Sequence, residues 1–439
     1  MSNIWSSKIS FPNGLLHLDG ISATDLARDF GTPTFFLDEF DFRNRATSWK
    51  SSLEKSFGTN AGTVYYAGKA FLCVEVARWV EQSGIGLDVC TGGELAIALA
   101  ANFPPKKIQM HGNNKSVEEI DRAVEVGVGT IVIDSLFEIE RVATAARKYG
   151  KSQPVLLRLT PGIEAHTHES IATAHEDVKF GFSIASGAAW QAIVETRKHS
   201  EIELRGFHSH IGSQILSHDA FGIAADRLIT LLAKYRDEFG VELPELDLGG
   251  GYGIAYLPED EEMALDDLLP WLFGVVEQSC KKSNIVVPKI SIEPGRSIVG
   301  PAMFTLYEVG TSKDVILESE ETRRYISVDG GMSDNIRTAL YDATYTAVIA
   351  NRVSNAELVA SRVVGKHCET GDIVIRDIAL PKDLRPGDLL ATPATGAYGR
   401  SMASNYNHVP RPPVVAVVDG KARVILRRET FADLLNLDV

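Results

Sequence analysis

The sequence predicts an α/β fold, a (β/α)8 TIM-type barrel followed by a C-terminal antiparallel β-sandwich-like domain. From about residue 40, short apolar runs alternate with longer amphipathic segments, and eight such runs occur before residue 300. The runs lack strict apolar–polar alternation, which is typical of strands covered on both faces of a parallel sheet. After about residue 305 the pattern changes to strand-like runs separated by turns, which indicates a second domain.

The eight apolar runs predict the barrel strands. In chain order they are TVYYAGK (63–69), GLDVC (86–90), KIQMHG (107–112), TIVIDS (130–135), VLLRLT (155–160), LRGFHSH (204–210), LDLGGG (246–251) and KISIEPG (289–295). Helix-like segments such as GELAIALAANF and VEEIDRAVEVG lie between them. Eight strand–helix units favour a closed barrel over an open sheet.

The second domain is predicted from a different pattern. Runs such as RRYISVDGG, GDIVIRDIAL and PPVVAVVDG alternate with turns, and the N-terminal GLLHLDGI and GTPTFFLDE resemble them. We therefore expect the barrel to span residues 41–305, and the β domain to combine residues 1–40 with residues 306–439.

Composition excludes several functional classes. The formal net charge of −14 argues against a nucleic-acid-binding surface, which requires clustered Lys and Arg. The four cysteines form no CxxC pair, so neither a disulfide framework nor a zinc ribbon is indicated. The N-terminus shows no basic region followed by a long apolar run, and no run is long enough to span a bilayer. These features predict a soluble cytoplasmic protein that contacts no membrane.

Polar residues stand where the predicted strands end, which is where barrel enzymes place their chemistry. Lys69 ends the first run and Asp88 the second. A single lysine in this position is usually the first solvent-facing residue after a strand, but here other polar groups would converge on the same mouth. They are His111, Arg158, His208, His210, Ser213, the glycines of GGGYG (249–253), Glu293, Gly295 and Arg296.

The chemistry of this set indicates a phosphate-bearing cofactor. Consecutive glycines let backbone N–H groups surround an anion. GGGYG does not match the dinucleotide pattern, because Ile254 stands where that pattern needs glycine, and Asn114 before Lys115 excludes a P-loop. A phosphate cup, an amine such as Lys69 and a carboxylate such as Glu293 are together what pyridoxal phosphate requires of a protein.

Other interpretations of these residues stay open at this point. Glu293 could form a structural ion pair with Arg296. His208 and His210 could be core histidines, or, since H-x-H places both on one strand face, a metal pair; without a nearby third ligand we predict no metal site. The segment EAHTHESIATAHEDVKFGF (164–182) is most simply a flexible loop over the barrel mouth.

Nine blocks of the sequence carry a resemblance to a known family. They are YYAGKAF, GLDVCTGGELAIAL, HGNNKS, FHSHIGSQI, DLGGGYGIAY, EPGRSIVG, VDGGMSDNIRTALY, GKHCETGD and ATGAYGRSMASNYN. In this order, from about residue 60 to 412, they resemble the blocks of the diaminopimelate decarboxylases, which belong to the fold-type III, alanine racemase-like family of pyridoxal-phosphate enzymes. The resemblance implies a barrel plus a β domain, a homodimer with shared active sites, and decarboxylation of meso-2,6-diaminopimelate to L-lysine and CO2, the last step of lysine biosynthesis.

The resemblance also implies roles for individual residues. Lys69 resembles the lysine that links the cofactor, and His210 the histidine stacked on its ring. Glu293 resembles the carboxylate on the ring nitrogen. The remaining cofactor-binding residues implied are Asp88, Ser213, Gly250, Gly251, Gly295, Arg296 and Tyr398.

The family resemblance implies substrate-binding residues as well. Arg296, Arg337 and Tyr341 resemble residues that hold the far end of the substrate, and Tyr398 resembles a residue that closes over phosphate and substrate. Cys368 and Glu369, in HCET, resemble a pair presented by the partner subunit, the cysteine as proton donor after CO2 leaves.

Two small departures from the family pattern are Gly68, where Ala or Val is expected, and Thr370, where Ser is expected.

Alternative functions are a decarboxylase acting on ornithine, arginine or carboxynorspermidine, an alanine racemase, a non-catalytic homologue, and a generic carrier of the cofactor. HCET and Arg337 argue against ornithine and arginine. Glu293 argues against a racemase, because it sustains an electron sink that a racemase would avoid.

Overall fold

The structure, a computed structural model, describes residues 4–162 and 179–439. The chain divides into two compact units. The barrel unit comprises residues 45–253 and 262–297, and the β unit comprises residues 1–44, 254–261 and 298–439. The units divide a few residues away from the predicted boundaries of 41–305, and the β unit also takes Ile254–Glu261 from the middle of the chain.

The elements of the described residues are numbered in chain order. The helices are α1 Ala23–Phe30, α2 Glu39–Phe57, α3 Val74–Gln82, α4 Gly92–Ala100, α5 Val117–Val126, α6 Leu136–Lys148, α7 Ala188–Thr196, α8 Asp219–Phe239, α9 Leu265–Ser283, α10 Arg296–Val299, α11 Arg337–Tyr341 and α12 Phe431–Leu435. The strands are β1 Ile9–Ser10, β2 His17–Leu18, β3 Ile21–Ser22, β4 Thr34–Asp38, β5 Gly62–Ala67, β6 Gly86–Val89, β7 Ile108–Met110, β8 Thr130–Ile133, β9 Gln153–Thr160, β10 Phe182–Ser183, β11 Ile202–His208, β12 Glu245–Asp247, β13 Lys289–Ile292, β14 Met303–Ile316, β15 Thr322–Val328, β16 Val348–Ile349, β17 Leu358–Val364, β18 Ile373–Pro381, β19 Leu389–Thr392, β20 Val414–Val418 and β21 Lys421–Leu426.

The barrel unit is the closed eight-stranded parallel barrel that the sequence predicts. Its strands run in the order β5-β6-β7-β8-β9-β11-β12-β13, each parallel to its neighbour, and β13 closes the ring by pairing with β5. Each of the eight predicted runs overlaps one of these strands. Strands such as β6 and β8 are buried at every position, because helices cover one face and the barrel interior the other.

The barrel helices begin and end where local sequence directs. Helix α5 begins with a capping box, in which Ser116 and Glu119 each accept a hydrogen bond from the other's backbone, and ends at Gly127 in the left-handed conformation. Helix α4 begins at Thr91, whose side chain accepts from the backbone N–H of Glu94. These caps fix short loops at the carboxyl ends of β6 and β7, next to the candidate site.

The β unit contains a mixed sheet. Its strands run β18-β17-β15-β14-β4-β20-β21, and β19 pairs with both β14 and β16. Most pairings are antiparallel as predicted, but β15 pairs in parallel with β17, and β20 with β4. The N-terminal strand β4 is central to this sheet and fully buried, so the first 40 residues supply part of the core of the β unit.

Among the described residues, none of the helices combines the length and the apolar character that crossing a lipid bilayer requires.

Candidate active site

A buried polar cluster at the carboxyl ends of the barrel strands is centred on Glu293, which follows β13. Its Oε1 lies 3.1 Å from Nε2 of His111 and 3.2 Å from Nε2 of His208. The side-chain amide of Gln109 donates to the same oxygen at 3.4 Å. Strands β7, β11 and β13 thus direct their polar residues at a single carboxylate oxygen.

The charge of Glu293 is set by these neighbours. Burial by itself raises the pKa of the carboxyl, but His111 and His208 outweigh burial and hold the pKa well below its usual range. The chain therefore holds an ionised carboxylate inside the barrel mouth, where a bare anion would be costly.

Two neighbouring carboxyl groups respond in the opposite sense. Burial raises the pKa of Asp88 to about 6, opposed by His111 and reinforced by the charge of Glu293. Burial and then Glu293 raise the pKa of Asp247 well above its usual range, although Asp247 accepts from Gln109 at 2.8 Å and from the backbone N–H of Gly249 at 2.8 Å. Carboxyl groups whose pKa values are driven apart are a feature of functional sites.

His210 is held as a neutral ring. Burial, followed by the positive charges of Lys69 and Arg158, lowers its pKa well below the usual range. Its Nδ1 accepts a hydrogen bond from the backbone N–H of Gly250 at 3.2 Å, so its proton resides on Nε2. A neutral, fixed imidazole next to a glycine loop suits stacking on an aromatic ring.

The glycine loop after β12 is crowded on its inner side. A Cβ added at Gly250 would lie 2.3 Å from the carbonyl oxygen of Glu293, and one added at Gly251 would lie 2.4 Å from that of Gly212. Gly251 also has φ +115°. Only residues without a Cβ fit this loop, which leaves its backbone open to a ligand.

The two anion-binding side chains predicted from the sequence lie together. Arg296 is buried, and its Nη2 donates to Oγ of Ser213 at 2.7 Å. Gly295 is packed against Ala67, since a Cβ there would lie 2.8 Å from the Cβ of Ala67. The predicted phosphate ligands are therefore positioned by β5, β11 and β13 in the same unit.

Lys69 lies in the short 3-10 helix Gly68–Ala70 directly after β5 and is half-buried. Burial is the largest influence on the pKa of Asp88 and Cys90 and raises both, and the charge of Lys69 opposes it; the same charge adds to burial in lowering the pKa of His210. The amine therefore lies within electrostatic reach of the cluster. The preceding Gly68 has a structural reason, because a Cβ there would lie 2.8 Å from the carbonyl oxygen of Asp88.

The other predicted site residues lie in the β unit. Arg337 is buried between two tyrosines: its guanidinium lies 4.8 Å from the ring centroid of Tyr256 and 5.6 Å from that of Tyr345, and it donates a hydrogen bond to the Tyr345 hydroxyl. Tyr341, at the end of α11, and Tyr398, with φ +63°, are half-buried.

Cys368 and Glu369 lie on an ordered turn yet are exposed. Asp372 organises this turn by accepting from the backbone N–H groups of His367 at 2.7 Å and Met332 at 2.6 Å. The backbone N–H of Cys368 donates to Oδ1 of Asn407 at 3.0 Å. The thiol and the carboxylate are thus presented outward on a fixed backbone.

The contacts of His111 and His208 with Glu293 are not predicted by the sequence. The sequence places both histidines at strand ends, and its spacing suggests only a core or metal-binding function for His208. The nearest nitrogen atoms of His111 and His208 and the carboxylate oxygen of Glu293 lie within 4.8 Å of one another, in a group that does not include His210, the partner of His208 in the H-x-H pair. The signal available was the position of both at the carboxyl ends of strands. Most of the segment 164–182, predicted to be a loop over the mouth, lies outside the described residues.

The barrel residues fall within a known protein family. Residues 40–300 match the family described as pyridoxal-dependent decarboxylase, pyridoxal binding domain. This range includes each barrel residue named above, from Lys69 to Arg296.

Relatives that match nearly the whole chain point to the same family of decarboxylases. The chain is 53% identical to a diaminopimelate decarboxylase of Mycobacterium tuberculosis over 442 residues, covering 100% of this chain and 98% of the relative. It is 44% identical to that of Bacillus subtilis over 427 residues, covering 97% and 96%. The crystal structure of diaminopimelate decarboxylase from M. jannaschii in co-complex with L-lysine superposes with a TM-score of 0.90 at 32% identity, covering 100% of this chain and 99% of that one.

Proposed function

The chain belongs to the diaminopimelate decarboxylase family of pyridoxal-phosphate-dependent enzymes, and we propose which of its residues bind the cofactor, hold the substrate and move the proton. The reaction is the decarboxylation of meso-2,6-diaminopimelate to L-lysine and CO2. The observation that supports the assignment of roles most strongly is the ionised Glu293 at a barrel mouth that also holds Lys69 and the glycine loop.

The barrel residues fit pyridoxal phosphate. The open backbone of Gly250, Gly251 and Gly295, with the Ser213–Arg296 pair, would hold the phosphate. Lys69 would provide the amine that links the aldehyde. Neutral His210 would stack on the ring. Asp88 would lie beside the Lys69 amine, whose positive charge favours the ionised form of the Asp88 carboxyl.

Glu293 would pair with the ring nitrogen. When bound, the cofactor supplies an electron sink for the bond that breaks. An ionised Glu293 favours a protonated ring nitrogen, which strengthens that sink, and this is the role that its lowered pKa supports. A Glu293 engaged only with Arg296 would not provide it; Oε1 is within 3.2 Å of both His111 and His208.

The β unit would select the substrate. Diaminopimelate carries an amino acid group at its distal end, whereas ornithine and arginine carry only a cation there. Arg337 would pair with the distal carboxylate, held in place by the rings of Tyr256 and Tyr345. Tyr341 and Arg296 are further residues that we propose for the distal end of the substrate, and Tyr398 would close over phosphate and substrate.

Cys368 and Glu369 would act across a homodimer. Their exposure on a turn fixed by Asp372 supports presentation to a second subunit. The Cys368 thiol would protonate the carbon after CO2 leaves, and Glu369 would face the distal amino group. We further propose that the domains follow the predicted division, and that the protein is cytoplasmic, where its four free cysteines stay reduced.

A mixture of two inactive variants tests the shared site. Lys69→Ala and Cys368→Ala protein, each inactive alone, are mixed under subunit exchange. If each site takes Lys69 from one subunit and Cys368 from the other, half of the sites in each mixed dimer are intact, and about a quarter of wild-type activity returns. No recovery, with exchange verified by differently tagged subunits, would place both residues in one chain's site.

A further inference from the structure

Glu293 is held by one of its two oxygens. His111, at the end of β7, and His208, at the end of β11, approach Oε1 from two separate strands at 3.1 and 3.2 Å, and Gln109 approaches it at 3.4 Å. None of these three contacts involves Oε2. A carboxylate with one oxygen engaged in this way has its orientation fixed while the other oxygen keeps its hydrogen-bonding capacity.

The two histidines pack against each other beside this oxygen. Their rings pack edge to face with centroids 4.9 Å apart and an interplanar angle of 69°. Both side chains are at least 95% buried, as is that of Glu293. Their Nε2 atoms contact Oε1 closely, although the geometry is not that of well-aligned hydrogen bonds.

Other titratable groups interact with the same carboxylate from neighbouring strand ends. They are Tyr65 from β5, Asp88 and Cys90 at and after β6, His210 after β11, and Asp247 and Tyr252 at and after β12. The Lys69 amine, after β5, interacts with Asp88, Cys90 and His210 of this set. Asp88 and Asp247 disfavour an ionised Glu293 by like charge. His111 and His208 oppose them, so removing either imidazole would shift the balance toward a protonated carboxyl.

We propose that His111 and His208 are positioning residues for Glu293, which fix Oε1 and leave Oε2 to pair with the ring nitrogen of the cofactor. This inference rests on the role proposed above for Glu293. The histidines act through the carboxylate, so their contribution exists only while Glu293 is an anion.

A double-mutant cycle tests this dependence. His111→Gln and His208→Gln are made separately in the wild-type and in the Glu293→Gln background. In the wild-type background, we expect kcat to fall about tenfold to a hundredfold, as for other residues that orient a first ligand, with KM nearly unchanged. The pH dependence of the visible absorbance of the bound cofactor should shift as well. In the Glu293→Gln background, each histidine substitution should cost less than about twofold.

His199→Gln is the matched control. Its Nε2 lies 3.8 Å from Glu140 and 3.9 Å from Glu195, so it too is a histidine beside two carboxylates, but outside the cluster. Thermal unfolding verifies the fold of each variant, and His→Asn variants replace any Gln variant that unfolds.

Equal losses in both backgrounds would overturn the inference, because a merely structural histidine costs the same whether or not Glu293 is charged. An unchanged absorbance and kcat in Glu293→Gln alone would instead contradict the role of Glu293 itself.

Discussion

Gly250→Ala should damage the cofactor site through a single methyl group. The added Cβ would lie 2.3 Å from the carbonyl oxygen of Glu293, where Cβ contacts under 3.0 Å are essentially never seen. The loop and Glu293 must therefore separate by at least about 0.7 Å, and overpacking of this kind costs about 1–3 kcal/mol. The same strain displaces Gly249, whose carbonyl accepts the backbone N–H of Glu293.

The consequence is measurable in binding and in turnover. Misplacement of a site by about 1 Å costs about a hundredfold in rate, and about 1.4 kcal/mol corresponds to tenfold in affinity. We expect the cofactor dissociation constant, measured by fluorescence titration of the apoprotein, to rise at least about tenfold for Gly250→Ala. Gly274→Ala is the control: Gly274 lies within α9, has nothing within 4 Å of an added Cβ, and should gain about 0.5–1 kcal/mol in stability.

The same measurements on Gly250→Ala can contradict this prediction. A Gly250→Ala protein that binds the cofactor within about twofold of wild type, with an unchanged urea midpoint, would show that the loop does not need the close approach on which the phosphate assignment depends.

Three further predictions follow from other contacts. Lys69→Ala should abolish the visible absorbance of lysine-linked cofactor while the thermal unfolding midpoint of the apoprotein stays near that of wild type. Tyr345→Phe removes the hydroxyl that accepts from Arg337, so KM for diaminopimelate should rise about tenfold while kcat changes little. Burial raises the pKa of Asp334 to about 7, so the folded state keeps a proton that the unfolded chain has lost. The free energy of unfolding should therefore fall as pH rises from about 4 to about 7, and Asp334→Asn should flatten this slope in urea titrations.

A specific result would contradict each of these three predictions. Tyr235→Phe is a matched control for Tyr345→Phe, because Tyr235 accepts from Arg197 on the barrel exterior, and equal KM changes in both variants would exclude a specific role of Tyr345. Retained absorbance in Lys69→Ala would place the linking amine elsewhere. An unaltered pH slope in Asp334→Asn would assign the titration to another buried group, such as Asp38, whose pKa burial raises to about 6.

Much of the fold could be predicted because it depends on local patterns. Eight apolar runs of strand length, each followed by an amphipathic segment, leave few alternatives to a closed barrel. The parallel pairings in the β unit were not predictable in the same way. The pairing of β4 with β20 joins strands from opposite ends of the chain, and periodicity along one strand carries no information about the direction of a distant partner.

For the candidate site, the sequence predicts the positions of several residues but not the contacts between them. Lys69, Glu293 and the glycine loop stand at strand ends, which is a position that sequence can reveal. The contact of His111 and His208 with Glu293 requires residues from three strands to meet, so spacing along the chain could not show it. The same holds for the tyrosines around Arg337, because Tyr256 and Tyr345 are separated from it in sequence on opposite sides.

Incubation with a panel of substrates tests the proposed function most directly. Purified protein with pyridoxal phosphate is incubated separately with meso-diaminopimelate, L-ornithine and L-arginine, and both CO2 and the amine product are measured. We expect CO2 and lysine from meso-diaminopimelate alone, because Arg337 and Glu369 suit a distal group that carries both charges. CO2 from ornithine or arginine at a comparable rate would contradict the proposed recognition of the distal carboxylate.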